Sequence, residues 1–497
     1  MISAIFYLVT TAWLLYNAWT IKKSDRKADF LTSVFLSCLF LLGEQAVFAF
    51  IFHFVHIPTG LVSIGVSNLL VGVGLFFGTR KIGKQSYEKP EISAIIGVLI
   101  ITAVTLYFYK TIWGFSFART AFGSEDGVKV HRMLAKFLAV NGYYENIQYF
   151  EALHEAIWMN LLAPIFGAIN SYDKGHMFTQ LINMEYTSFG FYVLLRRYRK
   201  GVYFDEKKRN ILAAVVCVFY LLGYPLYASM FGFAYFVQIM NIIVAIMVLY
   251  SLMREKEVSP WVLYGMLNIL LFAMFPCYSF FVPIVFPALF LAIWAAYKEE
   301  TGRWLSWKLI TQEAQVFILP CILGLLNSFS NVKELGDGGG ITNDGGCYFD
   351  LYSNFLRLLP FVAIGIAIVW KKRKTDLLLF LNAWTLVVFA GLFALNAKGK
   401  ISLYYISKVY NILWLVCFVF IFIAFAQLLE KMPALVVGLA LMFALSFVSH
   451  SSGLPEKIQG INPPGYITLY DNEHGIYPNV YWFNEQWVAI LHGQTHF

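Results

Sequence analysis

Ser124-Glu125-Asp126-Gly127-Val128-Lys129-Val130-His131 and, further along, His154-Glu155-Ala156-Ile157-Trp158 lie in one long stretch, Thr111–Asn170. The stretch follows the apolar run Ala94–Tyr109 and contains no clear span of its own. Connections this long are uncommon unless they are functional or disordered. This one alternates apolar and charged residues at helical spacing, which argues against disorder. It reads as the mouth of a functional site at a membrane surface, and that reading sets the fold for everything on either side.

The surroundings are membrane. Of 497 residues 59% are hydrophobic and 13% charged, against about 25% charged in an average globular chain. Runs such as Ala94–Tyr109, Ile211–Tyr227 and Ile412–Ala426 suit spans, each of which needs about 20 apolar residues. The spacing predicts an all-α polytopic membrane protein with about fourteen transmembrane helices. They fall at 3–20, 30–54, 60–79, 92–110, 176–195, 210–228, 231–252, 259–275, 279–297, 308–326, 355–370, 376–394, 405–428 and 433–449. Met1–Thr20 has no basic residue ahead of it, and Lys22, Lys23, Arg26 and Lys27 follow it. A span with its N-terminus outside fits that order better than a signal peptide.

Alternate connections then gather 25 of the 37 Lys and Arg on one side, which the positive-inside rule makes cytoplasmic. The net charge of +8 reflects this bias and gives no support to a nucleic-acid partner. The opposite, non-cytoplasmic face receives Thr111–Asn170, Asn327–Asn354, Leu395–Tyr404 and the tail after Ser449. Three segments result: N-terminal extra spans (1–91), a transmembrane core (92–449) with its external loop (111–175), and an external tail (450–497). The six cysteines show neither disulfide nor metal spacing and read as small apolar side chains.

Inside the loop, Ser124 can cap a helix whose first turn holds Glu125 and Asp126, where carboxylates suit the helix dipole. Val130, Met133, Leu134, Phe137 and Leu138 form an apolar stripe at helical spacing, an amphipathic interfacial helix. By spacing alone the acidic pair serves equally as a cap. Tyr149–Asn170 makes a second such segment, interrupted at Pro164 and Gly167 and leading through Asp173 and Lys174 into the fifth span. Glu44 and His53 are ionisable residues inside the first three spans. Glu44 reads as a structural pairing within the bundle.

This order of features resembles the GT-C superfamily of membrane glycosyltransferases, which use polyprenyl-phosphate-linked sugars. The residues that carry the resemblance are Glu125-Asp126-Gly127, His154–Trp158, Pro164-Ile165-Phe166-Gly167 and Tyr192–Arg197. Three spans precede the first comparable one, the acidic pair is Glu-Asp, and no Pro-Pro follows His154. The resemblance covers about Ile92–Lys200 in motif and the rest in topology. It implies a GT-C-like fold with a catalytic base in the first external loop: Asp126, with Glu125 supporting it or contacting the acceptor. Taking the proton of an acceptor hydroxyl is work a carboxylate can do. His131, His154 and Glu155 would orient substrate.

Lys398, Lys400 and Lys408 stand on the outer side, where the topology rule discourages cations. Similar aromatic-plus-Lys regions in the superfamily neutralise lipid-linked phosphate, so these three would bind the donor phosphate. Lys408 also fits a snorkelling side chain. The partners implied are a polyprenyl-phosphate sugar donor, a glycan or glycolipid acceptor, and membrane lipid. A divalent cation is the one candidate cofactor, and no metal ligand is assigned. Asp337, Asp344 and Asp350 are oxygen ligands that a divalent cation could use, although a Gly-rich lid is the simpler reading of their loop. The tail reads as a cover packed on the outer loops. The competing functions are a transporter or flippase of lipid-linked glycans, and a polysaccharide polymerase or ligase. The location implied is the plasma membrane, with the active site on the non-cytoplasmic face.

Overall fold

The computed structural model describes residues 1–113, 122–124, 135, 139–140, 150–198, 206–221, 234–335, 351–401, 403–432, 466–471 and 475–482. Among the described residues the regular elements are helices, one small sheet and two isolated β-bridges. In chain order the helices are α1 Ile2–Thr20, α2 Phe30–Phe54, α3 Leu61–Ile82, α4 Ile92–Trp113, α5 Glu151–Phe166, α6 Ala168–Arg197, α7 Glu206–Leu221, α8 Ala234–Arg254, α9 Pro260–Tyr278, α10 Val282–Thr301, α11 Trp307–Leu335, α12 Leu351–Lys372, α13 Leu377–Ala397 and α14 Leu403–Lys431.

Eight described stretches are long and apolar enough to cross a membrane. The chain is an integral multi-pass membrane protein of the all-α class. Spans predicted at 259–275 and 279–297 fall within one apolar stretch, Pro260–Thr301. A three-residue 3-10 turn at Ser279–Phe281 divides it, after Tyr278 takes extended dihedrals. The helix over the span predicted at 176–195 starts earlier, at Ala168, and is not one of these eight stretches. Gly167 is the break, with φ of +82°, a left-handed value that costs glycine little; Asp173 and Lys174 do not interrupt the helix. The span predicted at 433–449 lies outside the described residues, and so does most of the predicted interfacial helix 128–140, of which Ala135, Ala139 and Val140 are helical.

The chain forms two compact units. The first comprises Met1–Ile92, Lys129–Leu194 and Phe233–Asp337. In it the connections after α1 and α3 clasp each other. The Gln85 side chain accepts from the Lys23 and Ser24 amides and donates to the Arg26 carbonyl. Asp29 caps α2 by accepting from the Thr32 amide, and Asn68 of α3 donates to Thr11 of α1 at 2.9 Å. Helices α8, α9 and α10 share a basic end, where Arg254 meets Glu299 and Glu300 at 2.7 and 3.3 Å.

The second unit comprises Ser93–Val128, Leu195–Gly232 and Gly338–Phe497. Its core is α14, buried almost continuously from Lys408 to Ala426. Trp414 donates its indole N–H to the Tyr220 carbonyl of α7, and Phe361 of α12 and Phe389 of α13 stack edge-on against Phe425 and Tyr410. Asp376 caps α13. A three-stranded antiparallel sheet completes the unit: β1 Phe122–Ser124 pairs with β2 Tyr466–Asp471, and β2 with β3 Gly475–Trp482. The strand just ahead of Glu125 is thereby paired with the C-terminal tail.

Candidate functional site

The first unit holds a polar frame centred on α5. Helices α5 and α6 fold back on each other at Gly167. They approach closely because a Cβ on Gly175 would lie 2.7 Å from the Met159 backbone nitrogen and 3.0 Å from the Glu155 carbonyl. Only glycine lets the helices cross here. The start of α5 is tied down by the Phe150 amide, which donates to the Pro276 carbonyl at 2.9 Å.

His154 is the hub. Gln238 of α8 donates its amide N–H to Nδ1 at 2.8 Å, which leaves the ring proton on Nε2, 3.0 Å from Oε1 of Gln45 on α2. Gln45 then donates to the Tyr7 hydroxyl at 3.1 Å, and the Cys277 thiol donates to Gln238 Oε1 at 3.1 Å. Each donor meets an acceptor along Tyr7–Gln45–His154–Gln238–Cys277, a single consistent assignment for a neutral imidazole. Burial holds the His154 pKa down at about 4, because taking the charged form out of water is costly.

One residue on, Glu155 points the other way. Its Oε1 lies 2.8 Å from His176 Nδ1 on α6, with both side chains fully buried. Among the described residues Glu155 Oε2 has no hydrogen-bond partner, and one turn along α6 the buried Gln180 has neither amide atom bonded. Further down, Thr187 of α6 donates to Asn241 of α8 at 3.0 Å. Glu44 on α2 is buried beside the Ser67 hydroxyl. The Ser67 hydroxyl, set beside the Glu44 carboxyl inside the bundle, donates to the Ile64 carbonyl. The frame thus combines a saturated hydrogen-bond chain with acceptors left over, an arrangement uncommon in a purely structural core.

The predicted site residues separate as follows. His154 and Glu155 lie side by side on α5, each held by a different set of helices. With both ring nitrogens engaged and the Glu155 carboxylate enclosed, the two act on the frame. Lys408 lies in the second unit near the start of α14, buried, with its ammonium 4.4 Å from the Tyr405 ring centre. Lys398 and Lys400 are exposed on the turn after α13. Asp126, Glu125 and His131 lie outside the described residues, as do Asp337, Asp344 and Asp350. Sequence reading missed Gln45, His176, Gln238 and Cys277. For α6 a signal existed: His176, Gln180, Asn183 and Thr187 recur at helical spacing, a polar stripe inside a predicted span.

No family model matches the chain, and comparison with curated proteins and with solved structures gave no match either. The fold and site define a class, a multi-pass α-helical membrane protein with a buried polar frame, and the function is argued from the frame.

Proposed function

We propose that the protein is a GT-C-like glycosyltransferase. It moves a sugar from a polyprenyl-phosphate donor to a glycan, glycolipid or cell-wall polymer on the non-cytoplasmic face of the plasma membrane. One observation supports this most. His154 and Glu155, which the resemblance sets beside substrate, are fixed by five helices in a frame far more elaborate than an interfacial loop needs. Enzymes hold reacting groups through such supporting hydrogen bonds. The geometry of α6 is in keeping with it. Its 30 residues make a rod of about 45 Å, whereas the hydrocarbon core is about 30 Å thick. With Arg196 and Arg197 at the cytoplasmic surface, the α5–α6 hairpin rises into the opposite interface.

In this reading the acceptor hydroxyl gives its proton to the Asp126 carboxylate as its oxygen bonds to the sugar anomeric carbon. The bond from that carbon to the phosphate oxygen breaks, and the polyprenyl phosphate leaves with the electron pair. Lys408, with Lys398 and Lys400 at the surface, neutralises the phosphate charge, a transition-state contribution that grows in a water-poor site. Glu125 supports the base. His131 orients substrate, and His154 and Glu155 do so through the frame.

A second reading has its own observation. The buried Glu44 and the polar stripe of α6 are ionisable and polar groups of the kind transporters use, so a flippase of lipid-linked glycans is the alternative. A polysaccharide polymerase or ligase would share the donor chemistry with a larger acceptor. Purified protein in vesicles carrying a polyprenyl-phosphate sugar distinguishes them. The glycosyltransferase reading expects a new glycosidic bond, lost in Asp126→Asn and reduced in Lys408→Gln. Lipid scrambling without bond formation would replace it with the flippase.

A further inference from the structure

At the basic end of the first unit, opposite the His154 frame along α8 and α9, lies a cavity of about 560 Å³. That is within the usual range of small-molecule sites, about 300–1,000 Å³. Its walls come from the connection after α1, the C-terminal ends of α8 and α10, and the N-terminal ends of α9 and α11. Charge around it is unbalanced. Both carboxylates in its lining are already engaged: Asp25 by Lys22 at 2.6 Å, and Glu300 by Arg254 at 3.3 Å. Three further cations in the lining, Arg26, Lys256 and Lys308, have no carboxylate partner among the described residues.

Two more features favour an anion. Ser259 precedes α9 but its side chain makes no capping bond, and its buried hydroxyl is without a hydrogen-bond partner among the described residues. The positive end of the α9 dipole is therefore left uncompensated by its own cap, the situation in which helix N-termini take up phosphates. Part of the wall is apolar, with Val258, Leu263, Ile293 and Ala296. A soluble anion gains nothing from such a wall, whereas the glycerol and upper acyl carbons of a lipid do.

We propose that this cavity binds a phosphate-bearing anion, supplied by an anionic phospholipid of the cytoplasmic leaflet. The site shares no residue with the donor site of the proposed reaction, and the proposal holds whether or not that reaction is right. It rests on the basic end being the cytoplasmic one. Bound there, a headgroup would tie together the ends of α8, α9, α10 and α11, so lipid composition would set the rigidity of that end.

The test is native mass spectrometry of the full chain, released from detergent with phosphatidylglycerol or phosphatidylcholine. The native protein should retain phosphatidylglycerol in preference to phosphatidylcholine. The triple variant Arg26→Gln/Lys256→Gln/Lys308→Gln should lose retention by about tenfold or more, since each basic residue at an anionic lipid surface contributes separately. A control variant, Arg80→Gln/Lys81→Gln/Lys84→Gln, removes the same charge from the same end away from the cavity and should retain lipid within about twofold. Equal losses in both variants would reduce the effect to diffuse surface charge and overturn the proposal, as would native retention in the first. Should the triple variant not fold, Lys308→Gln alone is read against Lys84→Gln by the same criterion. Glycerol phosphate offered in place of lipid separates the sources: binding as tight as phosphatidylglycerol would overturn the lipid source, and failure to compete supports it.

Discussion

The two ends of the first unit treat charge in opposite ways. At the hairpin end, α5 and α6 carry Glu155 and His176 completely inside, and α2 carries Glu44 with them. At the basic end, Arg254, Glu299 and Glu300 pair at the surface, and Arg26, Lys256 and Lys308 face an open cavity. The same helices, α8 and α9, run between the two. Charge at a membrane surface is cheap and sets orientation. Charge taken into the bundle is costly, persists only when held by several helices, and is where function is to be sought.

The comparison breaks most visibly at Glu155 and His176. Glu155→Ala takes the buried carboxyl away from the imidazole, and His176→Ala takes the imidazole away from the carboxyl. Removing one member of a buried pair costs roughly 3–5 kcal/mol. Thermal melting in detergent should fall sharply for each single variant and recover in part for Glu155→Leu/His176→Phe, where neither group is left alone. Single variants that melt like the native protein would mean that the pair is not enclosed.

His154 sharpens it next, through pH. Its folded pKa of about 4 lies below the ordinary 6.5, so the unfolded chain binds a proton across that interval while the folded chain does not. The stabilisation is complete above pH 6.5 and is lost as pH falls toward 4, by up to about 3 kcal/mol. Native melting temperature should therefore drop through this window more steeply than that of His154→Gln. Parallel pH profiles would contradict the neutral, doubly bonded imidazole.

The smallest effect is expected at the basic end. Arg254→Gln breaks two ion pairs whose members are partly exposed, and exposed pairs of this kind contribute about 1 kcal/mol or less. A loss as large as that of Glu155→Ala would erase the distinction between the two ends.

What the sequence revealed follows the same division. Membrane class and a basic face were legible because they depend on composition and on where Lys and Arg fall along the chain. His154 and Glu155 were legible as a motif. Their partners were not, since Gln45, Gln238 and Cys277 reach His154 from helices distant in sequence, and periodicity does not say which helices become neighbours. The start of α6 was misplaced because Asp173 and Lys174 look like loop residues when read alone. The helix runs through both, and Lys174 is buried over the Phe166 ring.

One assignment underlies the rest: the α5–α6 hairpin faces away from the cytoplasm and the basic end faces into it. Membrane-impermeant thiol labelling of intact cells tests it directly, with Cys347 replaced by Ser and a single cysteine introduced at either end. Ile165→Cys, at the exposed tip of the hairpin, should label from outside, and Lys256→Cys only after permeabilisation. Labelling of Lys256→Cys in intact cells, with Ile165→Cys protected, would invert the topology and remove the site from the face that the proposed reaction needs.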